Sequence, residues 1–329
     1  MDEKTILVTG GAGFIGSYVN KQLNEAGYRT VVLDNLSNGD RRAATRGAFV
    51  EGDIATDAEA VLKEFSVNAV MHFAAYIDVG DSVKDPAKYY ANNVIGTFKL
   101  LEAMRRQKVE KIVFSSSAAV YGMPQEEPIT EAHPTLPINP YGETKLMIEK
   151  ILRDYFKAYG IGSVSLRYFN AAGGDPDGEV LKYGRKDSNL IPLALSSLLK
   201  EQGSVTIFGT DYPTPDGTCL RDYIHIDDLG AAHLLALEKL FEAPCCSRYN
   251  LGNGQGFSVR QVLQTVKRVT GNELNIIEGA RREGDPATLI ASSKKAEEEL
   301  GWRQRRPELE KMIADAWNTI YDKPQNPVK

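Results

Sequence analysis

The 329 residues predict an α/β fold: a doubly wound parallel sheet followed by a smaller C-terminal α/β domain. Three observations predict it. Short β-branched runs alternate with longer helical patterns through the first half. Each run is nearly all apolar, as parallel strands covered on both faces require. The composition then shifts after Asn170. In order, the strand candidates are Thr5–Thr9, Thr30–Leu33, Ala48–Val50, Ala69–Phe73, Lys111–Ser115 and Ser163–Arg167. Helical segments between most of them argue for right-handed crossovers. Ala172–Asp187, rich in Gly, Asp and charge, reads as a surface loop. Beyond it helical and irregular stretches dominate, with turn signals at Tyr212–Gly217 and Gly252–Gly256. The first domain is placed at 1–172, with a returning segment around 220–250. The second, at 173–329, is expected to close over the carboxyl edge of the sheet.

Bulk properties exclude several classes. A net charge of -5 leaves no basic face, so nucleic acid is not an expected partner. No apolar run approaches the ~20 residues that span a bilayer. Met1-Asp2-Glu3-Lys4 leads directly into a strand-like segment, so no signal peptide is expected. Three cysteines, two of them adjacent, make a poor disulfide framework and suggest a reducing cytoplasm. Four scattered histidines without an HxxxH or CxxC pattern give no expected metal site.

Thr5–Thr9 is followed by Gly10-Gly11-Ala12-Gly13-Phe14-Ile15-Gly16, which opens a helical pattern. Gly10, Gly13 and Gly16 permit a tight turn in which backbone N–H groups reach a pyrophosphate. Gly16 also lets the helix pack close to the sheet, as in a Rossmann-type dinucleotide site. Asp34 ends the second strand roughly 20 residues on, where an acid bonds the ribose hydroxyls of adenosine. Its charge repels a 2′-phosphate, so NAD is expected rather than NADP; the alternative is an acid that merely caps the strand. Asp53 has two readings, an adenine contact or a turn aspartate in Gly52-Asp53.

Asn139-Pro140-Tyr141-Gly142-Glu143-Thr144-Lys145 opens an amphipathic helix, with Asn139 as N-cap and Pro140 at N1. Tyr141 and Lys145, four apart, share one face. A free tyrosine titrates near pH ~10. Bringing it near neutrality requires about 4 kcal/mol of differential stabilisation, for which a neighbouring ammonium and a cationic nicotinamide are candidates. The phenolate then accepts a proton from a substrate hydroxyl as hydride leaves the same carbon. Ser115-Ser116-Ser117 ends the fifth strand at the sheet's carboxyl edge, where ligands bind in this fold. Ser117 can share the hydroxyl with Tyr141; Ser115 and Ser116 read as strand caps bonded to backbone.

With these motifs in this order, the chain resembles the extended short-chain dehydrogenase/reductase family over nearly its whole length. Arg167-Tyr168-Phe169-Asn170, Phe208-Gly209-Thr210-Asp211-Tyr212, Asp216-Gly217-Thr218-Cys219-Leu220-Arg221-Asp222-Tyr223-Ile224-His225 and Arg281-Arg282-Glu283-Gly284-Asp285 narrow the resemblance to its UDP-glucose 4-epimerase branch. The resemblance implies tightly held NAD, a UDP-hexose substrate, inversion at C4 and a homodimer. It makes Tyr141 the base, Lys145 its electrostatic partner and Ser117 the hydroxyl donor. Gly10, Gly13, Phe14, Ile15, Gly16, Asp34, Asn35, Asp53, Ile54, Phe73, Ala74, Asn92, Tyr141, Lys145 and Phe169 match cofactor positions. Ser117, Asn170, Asn189, Leu190, Phe208, Arg221, Arg282, Asp285 and Leu289 match nucleotide-sugar positions. Arginine suits a diphosphate because its fork bonds phosphate oxygens in pairs; surface ion pairing is the alternative role for Arg221 and Arg282.

Two departures stand out. Ile77 occupies a position where some members carry a cofactor-side lysine. Leu289 occupies one where some carry a bulky tyrosine beside the sugar, which opens the way to N-acetylated UDP-hexosamines. Dehydratases that resemble this chain carry an Asp-Glu pair before V-Y-G, whereas Ala118-Ala119 stand here and transfer no proton. A non-catalytic NAD sensor is a further alternative. The apolar stripe Met147, Ile148, Ile151, Leu152, Tyr155, Phe156 and Tyr159 is wide enough for both the sheet and a partner helix.

Overall fold

A computed structural model describes residues 4–182, 189–282 and 284–320. Seven strands form one parallel sheet: β1 (Thr5–Thr9), β2 (Arg29–Asp34), β3 (Ala48–Glu51), β4 (Ala69–His72), β5 (Lys111–Ser115), β6 (Gly162–Tyr168) and, after four shorter strands, β11 (Cys246–Leu251). The intervening strands are β7 (Asn170–Ala172), β8 (Ser204–Phe208), β9 (Leu220–Arg221) and β10 (Tyr223–His225). The order across the sheet is β11-β6-β5-β4-β1-β2-β3, so the chain winds outward in both directions from β1 and β4. That reversal opens a crevice at the strands' carboxyl ends.

Helices cover both faces. On one side α1 (Phe14–Glu25) meets the later helix α8 (Ile226–Glu242). Its core holds Ile6, Val8, Val19, Leu23, Val164, Leu166, Leu237 and Trp302, all sealed from solvent. On the other side lie α2 (Ala58–Glu64), α5 (Gly96–Gln107) and α6 (Pro140–Tyr159), packed around Leu7, Leu33, Val70, Leu100, Ile112 and Leu152. Two short helices, α3 (Val79–Lys84) and α4 (Pro86–Tyr89), precede a π-helical turn at Tyr90–Ile95. The remaining helix between these groups is α7 (Leu190–Ser197).

Strand β11 and helix α8 join the sheet from a distant part of the sequence, β11 pairing with β6 from Cys246↔Ser163 to Leu251↔Tyr168. Helix and irregular chain predominate beyond residue 187, as expected, with short strands between them. Besides those named there are β12 (Phe257–Ser258), β13 (Asn275–Gly279) and β14 (Thr288–Leu289). Strands β9, β12 and β14 have only two residues each, too few to show an alternating pattern. A separate core gathers α7, α9 (Val259–Thr270) and the last helices, α10 (Lys294–Glu299) excepted and α11 (Leu309–Asn318) included, around Ile191, Leu195, Val262, Leu263, Val266, Met312 and Ile313. Lys21 on α1 reaches this half: its buried ammonium donates to Asp175 Oδ1 at 2.9 Å and Asp177 Oδ2 at 2.8 Å. Of the predicted loop Ala172–Asp187, residues 183–187 lie outside the described residues, as does Glu283 of the arginine motif.

The stripe on α6 divides. Ile148, Leu152 and Tyr155 enter the core, while Tyr159 stays 52% exposed; on the neighbouring helical segment Ile95 and Phe98 are 53% and 45% exposed, Phe98 meeting the Tyr155 ring edge-on. Among the described residues no helix is long and apolar enough to cross a membrane, and no group of three His, Cys, Asp or Glu could hold a metal ion.

Candidate active site

The glycine turn after β1 is fixed by contact. Gly10 has φ +71°, and a Cβ there would lie 2.6 Å from the Ala74 nitrogen. A Cβ on Gly16 would lie 2.3 Å from the Gly10 carbonyl oxygen. Larger residues would push the turn off the sheet edge. Gly13 caps α1 through backbone alone, donating to the Gly10 carbonyl at 3.1 Å and accepting from Ser17 at 3.0 Å. No acid stands in the first turn of α1. The first amides of a helix lack intrahelical acceptors, so those of Phe14, Ile15 and Gly16 offer a positive end for a pyrophosphate. These features fit NAD.

Asp34, at the carboxyl end of β2, is buried. Its Oδ2 accepts from the Ala12 amide and its Oδ1 from the Leu36 amide, each at 2.9 Å. Each oxygen keeps a further lone pair for a ribose hydroxyl. The same acid therefore also steadies the glycine turn. Asp53 follows β3; its Oδ2 accepts from Asn35 Nδ2 at 3.1 Å and its Oδ1 from the Ala55 amide at 2.8 Å. Thus Asn35 and Asp53 are brought together, with buried Ile54 beneath them. The bond from the Ala55 amide is what a turn aspartate makes, and the bond from Asn35 ties Asp53 to the end of β2.

Phe73 and Ala74 leave β4 at the same edge. The Phe73 ring lies 4.9 Å from that of His233, and Ala74 backs Gly10. Asn92 sits in the π-helical turn and donates to Asn93 Oδ1 at 2.9 Å. Sequence reasoning passed over Asn93. Its side chain is sealed from solvent, accepts from the Tyr76 amide at 2.9 Å, and donates to the Tyr76 carbonyl and to Thr144 Oγ1. It ties the β4 loop to the helix of Tyr141. A π-turn is common near functional sites, but no local sequence signal marks this one. Ile77 is 49% exposed on that loop.

Helix α6 starts as its cap residues require. The Gly142 amide donates to Asn139 Oδ1 at 2.8 Å, and Pro140 takes N1. Tyr141 is 9% exposed, and its amide donates to the buried Ser82 Oγ at 3.3 Å. Lys145, 2% exposed, donates to the Ser115 carbonyl at 2.7 Å and stands 5.8 Å from the centre of the Tyr141 ring. Ser117 faces the Tyr141 hydroxyl while its own oxygen accepts from the Ala119 amide at 3.1 Å.

Burial shifts both ionisable groups toward neutrality. It pushes the Tyr141 phenol up, against a smaller downward pull from the Ser117 hydrogen bond. It brings the Lys145 ammonium down to about 7, with Glu149 acting the other way. The expected lowering of the phenol rests on Lys145 together with a cationic nicotinamide; in the protein by itself burial dominates and only Ser117 pulls the other way.

Ser115 and Ser116 also depart from expectation. They bond side chains rather than backbone: Ser115 Oγ meets the Tyr168 hydroxyl, and Ser116 Oγ donates to Glu149 Oε1 at 2.6 Å. Glu149 in turn holds the fully buried Arg167, with Nε–Oε1 2.9 Å and Nη2–Oε2 2.5 Å. Arg167 donates to the Tyr121 hydroxyl at 2.9 Å, which donates to Asn250 Oδ1 at 2.6 Å. This satisfied polar chain supports the floor beneath Ser117 and Lys145.

The nucleotide-sugar positions fall into two groups. In the first, β14 pairs with β9 so that Leu289 stands opposite Arg221. Arg221 Nη1 donates to the Pro286 carbonyl at 2.8 Å, and Nη2 lies 3.4 Å from Asp285 Oδ1. Asn170 Nδ2 donates to the Asp222 carbonyl at 2.8 Å, joining the end of β6 to the same strand system. Leu289 and Phe169 are half-buried against Ala118, Val120, Tyr121 and Ile129 of the chain after Ser117 and against Leu146 of α6. In the second group, the Arg282 guanidinium lies 3.8 Å above the centre of the Phe208 ring. Asn189 caps α7 by its backbone alone, its exposed side chain making no cap bond, and Leu190 packs into the third core. The arrangement can hold a dinucleotide along the β1–β3 edge and a charged second ligand on the arginine side, with Ser117, Tyr141 and Lys145 between.

Known proteins share the sequence and the fold. The model of the NAD dependent epimerase/dehydratase family matches residues 6–252. A UDP-glucose 4-epimerase of Halalkalibacterium halodurans is 50% identical over 315 residues, covering 95% of this chain and 94% of its own. The crystal structure of UDP-glucose 4-epimerase from Brucella ovis in complex with NAD is 46% identical, with TM-score 0.92 over 95% of this chain and 97% of its own. The UDP-Glc/GlcNAc 4-epimerase of Campylobacter jejuni is 38% identical, with TM-score 0.84 over 96% of this chain and 98% of its own. With matches of this extent and with the Gly10–Gly16 turn and the Ser117, Tyr141 and Lys145 constellation in place, the chain belongs to the NAD dependent epimerase/dehydratase family.

Proposed function

We infer that the chain is an NAD-dependent UDP-glucose 4-epimerase, interconverting UDP-glucose and UDP-galactose. The observation that carries the reading is the convergence of Ser117, Tyr141 and Lys145 beside a dinucleotide turn, together with Arg221, which pairs with Leu289 and lies beside Asp285. Bound NAD supplies the acceptor and donor of the C4 hydride, and its positive ring favours the phenolate.

The protein's own part is positional and acid–base. Tyr141 takes the proton of the C4 hydroxyl and later returns one. Ser117 bonds that hydroxyl and holds it toward Tyr141. Lys145, anchored on the Ser115 carbonyl, presents its charge to the phenol. Inversion requires the 4-keto sugar to present its opposite face before hydride returns. UDP must therefore be gripped firmly through Arg221 and Arg282 while the hexose is held loosely enough to turn. Ala118 and Ala119 beside Ser117 offer no further acid or base, which separates this chemistry from elimination across C5 and C6.

A homodimer fits the exposed apolar Ile95, Phe98 and Tyr159 along the α5–α6 face, since a partner helix pair would cover them. Cytoplasmic placement fits three free cysteines, and a UDP-galactose epimerase would serve galactose metabolism. The test of the activity is conversion of UDP-galactose by purified protein, with the product identified by chromatography or NMR. UDP-glucose is the expected product. Retained UDP-galactose with NAD bound would reject the assignment in favour of a sensor.

Asp34 supplies a separate test. The wild type is expected to bind NAD far more tightly than NADP, because a 2′-phosphate would meet the Asp34 carboxylate. Asp34→Ala should narrow the preference about tenfold, the scale of one lost hydrogen bond to a charged group. Calorimetric titration of stripped protein measures it. Equal affinity of the wild type for both cofactors would contradict the assignment.

A further inference from the structure

Strands β8 and β13 run parallel and end together at Phe208 and Gly279. The loops that follow carry the two arginine-side segments, 209–217 and 280–287. They are fastened to each other by Arg281, not by Arg282. Arg281 Nε donates to Asp211 Oδ1 at 2.7 Å, and its Nη2 donates to the Asp211 carbonyl. The same guanidinium lies 4.2 Å above the centre of the Tyr212 ring. Gly209 donates its amide to the Gly279 carbonyl at 2.9 Å. Gly209 has φ +88°, and a Cβ there would meet the Tyr212 ring at 2.5 Å and Arg281 Cγ at 2.7 Å. The turn is shaped around this stack.

The neighbours of the fastening are the groups that face the second ligand. Arg282 follows Arg281 and stacks on Phe208. Its fork has no carboxylate partner among the described residues, so its donors remain available. Asp285, at the end of the same segment, lies beside Arg221. The Tyr212 amide donates to the Gly217 carbonyl at 2.9 Å, which connects the stack to the turn leading into Arg221.

We propose that Arg281 is a positioning residue for UDP binding: clasped to Asp211 and Tyr212, it fixes the 280–285 segment so that Arg282 and Asp285 meet the diphosphate side in one orientation. The proposal rests on the UDP-sugar reading above. Arg281 and Asp211 are 44% and 74% exposed, so the ion pair contributes little to global stability. Its effect is instead on the order of the loop, which binding would otherwise have to impose at an entropic cost.

Four proteins are compared, wild type, Arg281→Ala, Asp211→Ala and the double variant, by calorimetric titration with UDP, steady-state kinetics with UDP-galactose and thermal unfolding. Each single variant is expected to bind UDP about tenfold more weakly, with KM raised similarly, kcat within twofold and Tm within about 2 °C. The double variant should bind no more weakly than either single one, because both break the same clasp. The charge exchange Asp211→Arg with Arg281→Asp should recover part of the affinity. Unchanged UDP affinity in Arg281→Ala, a parallel fall of kcat and Tm, or fully additive losses would overturn the clasp. Wild-type protein that binds no UDP would instead remove the UDP-sugar reading, and the proposal with it.

Discussion

Tyr141→Phe is expected to lower turnover of UDP-galactose at least ~100-fold, the usual scale for a lost general acid–base. The change removes one oxygen and keeps the ring, so the packing against Ser82 and the start of α6 is preserved. The loss should fall on kcat. Burial pushes the phenol up, so at neutrality it is protonated in the protein alone, while the Lys145 ammonium, brought down to about 7, is only partly charged. Tyr141 can therefore act as a base only where bound NAD adds its positive charge, and it returns the proton once that charge is gone. Ser117 remains in the variant and still bonds the sugar, and binding of UDP, which depends on the arginine side, should change little. NAD released on denaturation should match the wild type in amount. Near-wild-type turnover in the purified variant would remove Tyr141 from the chemistry; loss of bound NAD would recast it as a structural support of the cofactor site.

The contrast between Tyr141 and its supports shows what the sequence makes legible. Tyr141 and Lys145 lie one helical turn apart behind an Asn-Pro start, so helix geometry alone places them on one face. The strands Thr5–Thr9 and Lys111–Ser115 agree residue for residue with their structural bounds. Each is buried on both sides, and that forces the unbroken apolar runs by which it is recognised. Strand β11 is different. Its Ser247, Arg248 and Asn250 break the run, because it lies at the edge of the sheet and Asn250 bonds Tyr121 across 129 residues of sequence. The Glu149–Arg167 pair, Ser82 and Asn93 act through side chains that folding brings together from separate elements, and no local spacing announces them. The sequence offers Asp34 as a cofactor candidate, while its hold on the Ala12 amide of the glycine turn appears only in three dimensions. The family motifs lead to Arg282 and Leu289, but the partner of each, Phe208 and Arg221, becomes visible only when β8 and β9 are set beside β13 and β14.

Leu289 carries the remaining large effect. The wild type is expected to epimerise N-acetylated UDP-hexosamines as well as UDP-galactose, and Leu289→Tyr to suppress the N-acetylated reaction roughly 100-fold. Leu289 pairs with Arg221 on β14 and rests half-buried against the Ala118–Tyr121 segment just past Ser117. It thus touches both the strand of Arg221 and the segment after Ser117, the place where the proposed UDP-hexose reading puts the sugar. An N-acetyl group at C2 needs room there in two orientations, since the ketone must turn over between the hydride steps. Tyrosine adds a ring's width and a hydroxyl; forcing bulk into a packed wall costs up to about 3 kcal/mol, close to two powers of ten in rate. The smaller UDP-galactose should be far less affected. The decisive comparison is turnover of UDP-N-acetylglucosamine and UDP-galactose by both proteins, with kcat/KM measured for each pair. A wild type that converts only UDP-galactose would refute dual specificity. If both proteins convert both sugars equally well, the wall that senses C2 lies elsewhere and Leu289 belongs to the core it touches.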